Sequence, residues 1–358
     1  MAQILTYSEI NRQQWSELVR TSETGTWFQS PEAYDFYASL PALMESFVYG
    51  VENAGKLCAV SVGYVTKERS PIQQFFTRRA IIIGGPAIAK ECSDEEVVLL
   101  LSTLRQQLST GANAPIYIES RNFNDYSRWK NAFASARFAY QPHLNFHVDC
   151  TDKAQMDSRL SDTRAKQIRR ARRAGVEIEE LRNEGEIRDW YAILREMYRK
   201  KVKTPLWPVD FFIRANECGA ARFLMVKYAK RVIGGLMLVE DEKCVYEWFE
   251  CGRDTEYERL YPSVLATYAG MEYAASHRIT RCDFMGAGEP GIPYGVRDFK
   301  ARFGGELVEH GRFLCVCKPM LYRIGTIVVK ILKSYPRRRP LLPFHRKDAP
   351  GVKILKRK

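Results

Sequence analysis

One order of predicted elements occurs twice along this 358-residue chain. In the first half, residues 47–67 read as a hairpin around the turn ENAGK. The buried strand AIIIGGPAI, a helix starting at Ser93 and the strand PIYIE follow it. In the second half, another hairpin precedes a strand from Cys244, a helix from Pro262 and a strand that ends near Met285. Repetition of hairpin, strand, helix and strand predicts two copies of one α/β (α+β) unit with mixed, mostly antiparallel sheets.

This repeat sets the expected domain boundaries. We predict a first lobe over residues 1–150 and a second lobe over residues 151–312. A strand and helix over 313–335 would return to the first lobe or lie at a membrane surface, and a basic tail would occupy 336–358. With 46% hydrophobic residues, each lobe can bury a core of its own.

The net charge of +13 is concentrated in two places. Residues 330–358 contain eleven Lys or Arg and one acid, and Arg164–Arg173 contains six basic residues and no acid. Within that second run, Lys166, Arg169, Arg170 and Arg173 share one face of a predicted helix, where their like charges repel. A partner that carries phosphates would relieve this repulsion, and Lys166, Arg169 and Arg173 are candidate substrate ligands. A solvated helix face is the alternative.

The C-terminal segment has a second helical pattern. Apolar side chains recur at helical spacing from Leu321 to Tyr335, and basic residues flank them. This pattern is typical of a helix at an anionic bilayer surface, and packing on the first lobe is the alternative. The sequence has no apparent signal peptide and no apolar run of the roughly 18 residues needed to span a membrane. We therefore expect a cytoplasmic protein, with peripheral association at the inner face of the plasma membrane as a further possibility.

The segment Arg281–Arg312, RCDFMGAGEPGIPYGVRDFKARFGGELVEHGR, is the most specific motif. A strand ends in a loop in which Gly286 and Gly288 allow close approach of a substrate to the backbone. Charged residues, among them Arg297 and Lys300, crowd the next turns, and Arg297 is a candidate substrate ligand. An ordinary loop and helix with a solvated charged face would give the same pattern.

Four segments together resemble the Fem family of peptidoglycan bridge-forming aminoacyltransferases. They are GTWFQSPEAYDFY, SDTRAKQIRRARRAGVEI, YERLYPSVLATYAGMEYA and DFMGAG followed by GVRDFKARFGG, and they occur in the family's order. The resemblance implies two tandem lobes of the GNAT acyltransferase type. It also implies an aminoacyl-tRNA donor and, as acceptor, a muropeptide or lipid-linked cell-wall precursor. No bound cofactor or metal is expected.

The resemblance also assigns residue roles. It implies catalytic roles for Lys300 and Phe299, and substrate contacts at Tyr261 and at Tyr37, where the family usually has a lysine. Asp283 or Glu289 could accept a proton, although substrate-assisted transfer would need neither. The chain lacks the long paired-helix arm of some family members. We expect a monomer.

The donor has one alternative. A coenzyme-A-dependent GNAT enzyme would carry R/Q-x-x-G-x-G/A before a helix, where backbone amides hold the pyrophosphate, and this sequence lacks that motif. An acyl-CoA- or acyl-carrier-dependent N-acyltransferase acting on an envelope sugar or lipid is therefore the second hypothesis. A non-catalytic RNA- or membrane-binding protein is the third. Five widely spaced histidines disfavour a histidine-rich metal centre, and Cys315 and Cys317 read as free thiols.

Overall fold

The computed structural model describes residues 2–68, 70–111, 114–202 and 205–334. Its first elements, in chain order, are β1 Gln3–Thr6, α1 Arg12–Thr21, α2 Pro31–Ala38, β2 Met44–Asn53, β3 Lys56–Thr66, α3 Pro71–Thr77, β4 Ala80–Gly84, β5 Ala87–Ile88, α4 Asp94–Ser109, β6 Tyr117–Asn122, α5 Lys130–Ser135 and β7 Ala139–Gln141. Short 3₁₀ turns occupy Trp27–Gln29 and Ser127–Trp129.

The second series starts directly after β7. It comprises β8 Leu144–Asp149, α6 Lys153–Ser158, α7 Asp162–Arg173, β9 Val176–Glu180, α8 Glu184–Met197, a π-helical turn Tyr198–Val202, α9 Val209–Glu217, β10 Arg222–Tyr228, β11 Arg231–Glu240, β12 Cys244–Gly252, α10 Pro262–Ser276, β13 Arg281–Gly286, α11 Gly295–Ala301, β14 Glu306–Glu309, β15 Arg312–Val316 and α12 Pro319–Ser334.

The strands form two sheets, one in each lobe. The first has the order β1-β2-β3-β4-β6-β15-β7 with β5 beside β3, and the second has the order β14-β8-β13-β12-β11-β10-β9. Among the described strand pairs, only β4–β6 and β12–β13 are parallel. Helix α4 connects the first parallel pair and α10 the second, as a crossover between parallel strands requires. The predicted fold class of two mixed, mostly antiparallel lobes is confirmed.

Local sequence explains where the helices begin and end. Ser93 and Glu96 form a capping box at the start of α4, and the Ser161 hydroxyl accepts the amide of Arg164 at the start of α7. Gly175 follows α7 with φ +86°, a conformation that favours glycine at a helix end.

The two lobes exchange strands, which corrects the predicted boundary at residue 150. Strand β8 pairs with β13 and β14 in the second sheet, because its apolar residues Leu144, Phe146 and Val148 belong to the second-lobe core. The chain therefore leaves the first lobe after β7. Strand β15 returns to the first sheet, where it lies between β6 and β7. Helix α12 follows it, and Tyr322 packs edge-on against Tyr117 of β6.

A shared aromatic core joins the lobes. The ring of Phe28 lies edge-on to Tyr246 and Trp248 of β12, at centroid distances of 5.4 and 5.1 Å. Phe36 of α2 packs in the same way on Phe211 of α9, 5.2 Å away. Such pairs contribute about 0.5–1.5 kcal/mol each beyond the area they bury. This core lies beneath the cleft between the lobes and fixes its two walls.

Candidate functional site

The two parallel strands of the second lobe, β12 and β13, separate after three residue pairs. Strands β12 and β13 are paired only from Cys244 opposite Arg281 to Tyr246 opposite Asp283, a span of three residue pairs. In the first lobe, β4 and β6 stay paired over five, from Ala80 to Gly84. The second sheet therefore contains a split, and backbone groups beyond Asp283 lack a ladder partner on that side.

Lys300 of α11 fills this split. Its side chain is buried, and Nζ donates to the carbonyl oxygens of Phe284 and Gly286, the latter at 2.9 Å. These carbonyls lie where β13 has left β12 and where its pairing with β8 is also interrupted. Lys300 therefore supplies donors to a strand end that would otherwise be unpaired.

A β-bulge places two glutamates beside Lys300. In the β11–β12 ladder, Glu247 opposes Leu238 and Phe249 opposes Met237, so Trp248 has no partner. The extra residue shifts the alternation of side chains, and Glu247 and Glu250 thereby face the same side of the sheet. Both point towards helix α10, where the Thr267 hydroxyl donates to Glu250 at 2.8 Å.

The close packing of Glu247 on α10 requires a glycine there. A Cβ atom at Gly270 would lie 2.3 Å from Glu247 Oε1. The same carboxyl oxygen accepts a hydrogen bond from the Cys282 thiol at 3.6 Å. Its Oε2 is buried with no hydrogen-bond partner among the described residues. Glu247 is therefore a buried carboxyl with unused hydrogen-bonding capacity.

Lys300, Glu247 and Glu250 shift one another's pKa values. Burial raises the pKa of Glu247 well above its usual value, and Glu250 raises it further. Burial also raises the pKa of Glu250, against the opposing effect of Lys300. Burial lowers the pKa of Lys300, although both glutamates favour its charged form. Carboxyls with raised pKa values in a cleft are suited to proton transfer near neutral pH.

The split opens on a cleft between the lobes. Its inner part has a volume of about 460 Å³ and is lined by Lys300, both glutamates and Tyr198, Lys201 and Phe284 of the second lobe. Its outer part measures about 650 Å³. The two parts share the side chains Ile83, Arg121, Tyr198, Trp248 and Phe249.

The outer part combines aromatic rings with cations. Its rings belong to Tyr64, Tyr191, Tyr198, Trp207, Trp248 and Phe249, and its cationic side chains are Lys67, Arg79 and Arg121. Rings of this kind stack on sugars and bases, and such cations pair with phosphate or carboxylate groups.

A buried ion cluster forms the first-lobe wall of the inner cleft. The Glu119 carboxylate accepts hydrogen bonds from Arg121 at 2.9 Å and from Arg312 of β15 at 2.7 Å. Arg312 also lies 2.9 Å from Nε2 of His143. Burial and Arg312 lower the pKa of His143 to about 4, so this imidazole is neutral at pH 7 and accepts the hydrogen bond.

Asp283 lies at the bottom of the split but is fully engaged. Its carboxylate contacts Nε2 of His147 at 3.3 Å and accepts the Met285 amide at 2.6 Å. Burial raises the pKa of Asp283, but His147, Arg281 and this amide outweigh it and leave the pKa below its usual value. The other predicted proton acceptor, Glu289, is exposed in the loop after β13. Neither placement favours a role as a base.

The glycines of the motif lie where β13 ends. Gly286 lines the inner cleft, and Gly288 has φ +80°. Arg297 is not directed at the cleft, because its guanidinium donates to the carbonyls of Ala287, Glu289 and Ile292. Its contacts fix the shape of the loop.

The predicted aromatic and basic residues separate into two groups. Phe299 and Phe303 stack against the buried guanidinium of Arg164, at 4.4 and 5.1 Å. Burial lowers the pKa of Arg164 to about 10. Lys166, Arg169 and Arg173 lie instead on the exposed side of α7 and do not line the cleft.

Two predicted ligands lie in the packed interior or at its edge. Tyr37 is 1% exposed, its ring packs on Tyr64, and its hydroxyl has no hydrogen-bond partner among the described residues. Tyr64, not Tyr37, reaches the cleft. Tyr261 is half-buried with φ 51° and precedes Pro262 at the start of α10.

The N-terminus of α10 is already occupied by an acid of the chain itself. The Asp254 carboxylate accepts the Ser263 amide at 3.0 Å and the Ser263 hydroxyl at 2.6 Å. Pro262, the first residue of the helix, has no amide hydrogen. A pyrophosphate at this helix end would face a carboxylate in place of free amides.

Sequence reasoning missed Glu247, Glu250 and the Arg121–Glu119–Arg312 cluster. The two glutamates stand in the stretch YEWFEC, where two acids in an otherwise apolar strand signal a buried charge. Their spacing of three would place them on opposite faces of a regular strand, and the bulge reverses this. The ion cluster depends on β15 joining β6, a pairing between distant segments.

Comparison with known proteins identifies the fold. Residues 159–301 match a family model described as an acetyltransferase (GNAT) domain. A comparison with curated proteins finds no match. The crystal structure of FemX superposes with a TM-score of 0.68 at 13% identity, covering 90% of this chain and 99% of FemX.

Two further solved structures are similar. A tandem GNAT protein from the clavulanic acid biosynthesis pathway gives a TM-score of 0.53 at 10% identity, with 88% of this chain and 99% of that chain covered. L-PGS from Bacillus licheniformis gives 0.55 at 10% identity, with 91% and 98% covered. The chain thus has the GNAT-type α/β fold in two lobes, as the sequence predicts.

Proposed function

We propose that this protein is an N-acyltransferase that transfers an aminoacyl group from aminoacyl-tRNA to an amine of a cell-envelope precursor. The observation that carries the proposal is the split between β12 and β13, where Lys300 and two glutamates open on a cleft between two GNAT-type lobes. The likeness to FemX supports the Fem-type activity implied by the sequence motifs.

The proposed chemistry is attack of an amine on an ester. The acceptor amine adds to the ester carbonyl, the bond to the ribose oxygen of the tRNA breaks, and an amide forms. Glu250 is the proposed proton acceptor, because it lines the cleft and burial raises its pKa. The proton released by the amine ends on the departing ribose oxygen.

Lys300 has one further donor for the reaction. Two of the hydrogens of a protonated Nζ are directed at the Phe284 and Gly286 carbonyls, and the side chain lines the inner cleft. The third hydrogen can stabilise the negative charge that develops on the ester carbonyl oxygen. An aminoacyl ester is already activated, so positioning and charge stabilisation suffice.

Two features favour a tRNA donor over coenzyme A. Asp254 occupies the end of α10, where amides would otherwise hold a pyrophosphate. The exposed cations Lys166, Arg169 and Arg173 lie on α7, whose Arg164 stacks on the helix that carries Lys300. A phosphate backbone held along α7 would therefore pass close to the site.

The outer cleft is the proposed acceptor site. Its aromatic rings and the cations Lys67, Arg79 and Arg121 match a muropeptide or lipid-linked precursor that contains sugar, phosphate and peptide. Aminoacyl-tRNA is made in the cytoplasm, so the proposal places the reaction there, in a monomer that needs no cofactor.

Donor competition tests the proposal. Purified protein is incubated with a soluble nucleotide-linked muropeptide and either labelled aminoacyl-tRNA or labelled acetyl-CoA, and the product is identified by mass spectrometry. We expect transfer from aminoacyl-tRNA that falls by about 10²–10⁴-fold in Glu250→Gln. The exposed carboxyl variant Glu289→Gln is the matched control and should retain activity. Transfer from acetyl-CoA alone would establish the alternative donor, and transfer from neither donor would contradict the proposal.

A further inference from the structure

Two helices of the first lobe expose apolar side chains to solvent. On α3, Ile72, Phe75 and Phe76 are 73%, 54% and 54% exposed. On α12, Met320, Ile324 and Ile327 are 80%, 48% and 56% exposed, and their spacing of four and three places them on one face. Side chains of this size are seldom grouped on a surface without a partner.

Helix α3 lies next to the start of α12. Nζ of Lys318, the residue before α12, lies 6.0 Å from the ring centroid of Phe75. The amides of Cys317 and Lys318 both donate to the carbonyl of Ile116 at the start of β6. We call the six exposed side chains on α3 and α12 the apolar face.

The charge of the adjoining chain indicates what covers this face. Ten Lys or Arg and no acid lie between Glu309 and Asp348, and residues 330–358 carry a net charge of 11 − 1 = +10. A second copy of the chain would bring the same positive charge to the contact and be repelled. An anionic lipid surface presents the opposite charge and an apolar interior.

The described residues exclude one mode of membrane attachment. Within residues 2–68, 70–111, 114–202 and 205–334, no helix is both long and apolar enough to cross a bilayer. Helix α12 has 16 residues and is about 24 Å long. An apolar face on one side of such a helix fits a position in the headgroup region, parallel to the membrane.

The apolar face adjoins the mouth of the cleft. The outer cleft is lined by Thr66, Lys67 and Glu68, which precede α3, and by Arg79, which follows it. A bilayer in contact with α3 would therefore lie beside the entrance through which the acceptor reaches the site.

We propose that the apolar face docks the protein on an anionic phospholipid bilayer, with the outer cleft open to lipid-linked acceptors. The choice of acceptor rests on the proposed function, whereas the docking surface does not.

Sedimentation with vesicles tests the docking surface. The full-length protein is mixed with vesicles of phosphatidylglycerol and phosphatidylcholine, or of phosphatidylcholine alone, at low and high salt. We expect binding only to the anionic vesicles. Phe75→Ser with Phe76→Ser should weaken it roughly tenfold or more, because two half-exposed rings lose their contact with lipid. Leu307→Ser, at another exposed apolar position, on β14, is the matched control and should bind as the wild type does.

The basic residues are tested separately. Replacement of Arg337, Arg338 and Arg339 by Ser should weaken binding about a hundredfold at low salt, since each cation near an anionic leaflet contributes about fivefold. Binding that is indifferent to lipid charge and to this change would overturn the proposal. An unchanged affinity of the double phenylalanine variant for anionic vesicles would also overturn it. The same holds for a sharp fall in the melting temperature of that variant, or for a dimer that forms through the apolar face.

The docking proposal and the proposed function fail in distinguishable ways. Docking variants should transfer to a soluble, lipid-free acceptor at the wild-type rate and lose activity only on acceptors embedded in vesicles. Vesicle binding without any transfer would support the docking proposal and refute the proposed acyltransferase activity. Transfer that is equally fast on soluble and embedded acceptors in the double phenylalanine variant would refute the placement of the cleft beside the bilayer.

Discussion

Replacing Lys300 by methionine removes a charge from the split while keeping an unbranched side chain of similar length. In the wild type, Nζ donates to the carbonyls of Phe284 and Gly286. The methionine thioether can accept but not donate, so the buried Phe284 carbonyl and the half-buried Gly286 carbonyl lose this donor. The variant therefore tests a structural and a chemical role at once.

The expected loss of stability follows from these two contacts. An unpaired buried acceptor costs about 1–3 kcal/mol, so the two carbonyls cost at most about 6 kcal/mol, and Gly286 contributes less because it borders the cleft. Part of this is recovered, because burial disfavours the charged form of Lys300 and methionine carries no such penalty. We expect the free energy of unfolding in urea at pH 7 to fall by about 2–4 kcal/mol. Arg302→Met, an exposed position two residues further on, is the matched control and should stay within about 0.5 kcal/mol of the wild type.

The same change should move the pH dependence of transfer. Lys300 lowers the pKa values of Glu247 and Glu250, so its removal raises both. A glutamate that must be deprotonated to accept a proton then becomes active only at higher pH. The acid limb of kcat/KM should shift upward in Lys300→Met, and the residual rate at a fixed pH should fall.

Two results would refute this reasoning. If Lys300→Met unfolds at the wild-type urea concentration, the lysine does not complete the strand end. If the acid limb of kcat/KM stays in place or moves to lower pH, Lys300 is not electrostatically coupled to the group that accepts the proton.

Two further predictions concern the first lobe. Burial raises the pKa of Glu119, but Arg121 and Arg312 outweigh it and lower the pKa from 4.5 to about 2. The ion cluster should therefore stabilise the fold by about 3 kcal/mol above pH 4.5, and this contribution should vanish as the pH falls through about 2. Glu119→Gln should lower the unfolding free energy at pH 7 and flatten its pH dependence in that window; an unchanged slope would contradict the assignment. Tyr37→Phe removes a buried hydroxyl that has no partner, so stability should hold or rise by up to about 1 kcal/mol with transfer unchanged; a loss of transfer would return Tyr37 to the substrate site.

Features set by neighbours in sequence could be predicted. The duplicated order of hairpin, strand, helix and strand, the caps at Ser93 and Ser161 and the stop at Gly175 depend on a few adjacent residues. The predicted basic face of α7 likewise follows from helical spacing, and its three cations are exposed.

Features set by pairing between distant segments could not be predicted. The assignment of β8 to the second sheet depends on the strands it meets, although its apolar alternation suits either lobe. The bulge at Trp248 brings Glu247 and Glu250 together, and no residue near Trp248 marks it in the sequence. The charged neighbours of Arg297 predict a substrate ligand, whereas its guanidinium donates to the loop carbonyls.

The exchange of strands also orders events during synthesis. Strand β15 fills the position between β6 and β7, and β7 has no other partner among the described strands. The ribosome synthesises β6 and β7 long before residues 312–316. Until β15 emerges, the first sheet lacks the strand that lies between β6 and β7. An unfilled edge of this kind readily pairs with foreign strands. The first sheet therefore stays incomplete until the second lobe is almost entirely translated, and a chain that stops short of β15 leaves the position between β6 and β7 unfilled.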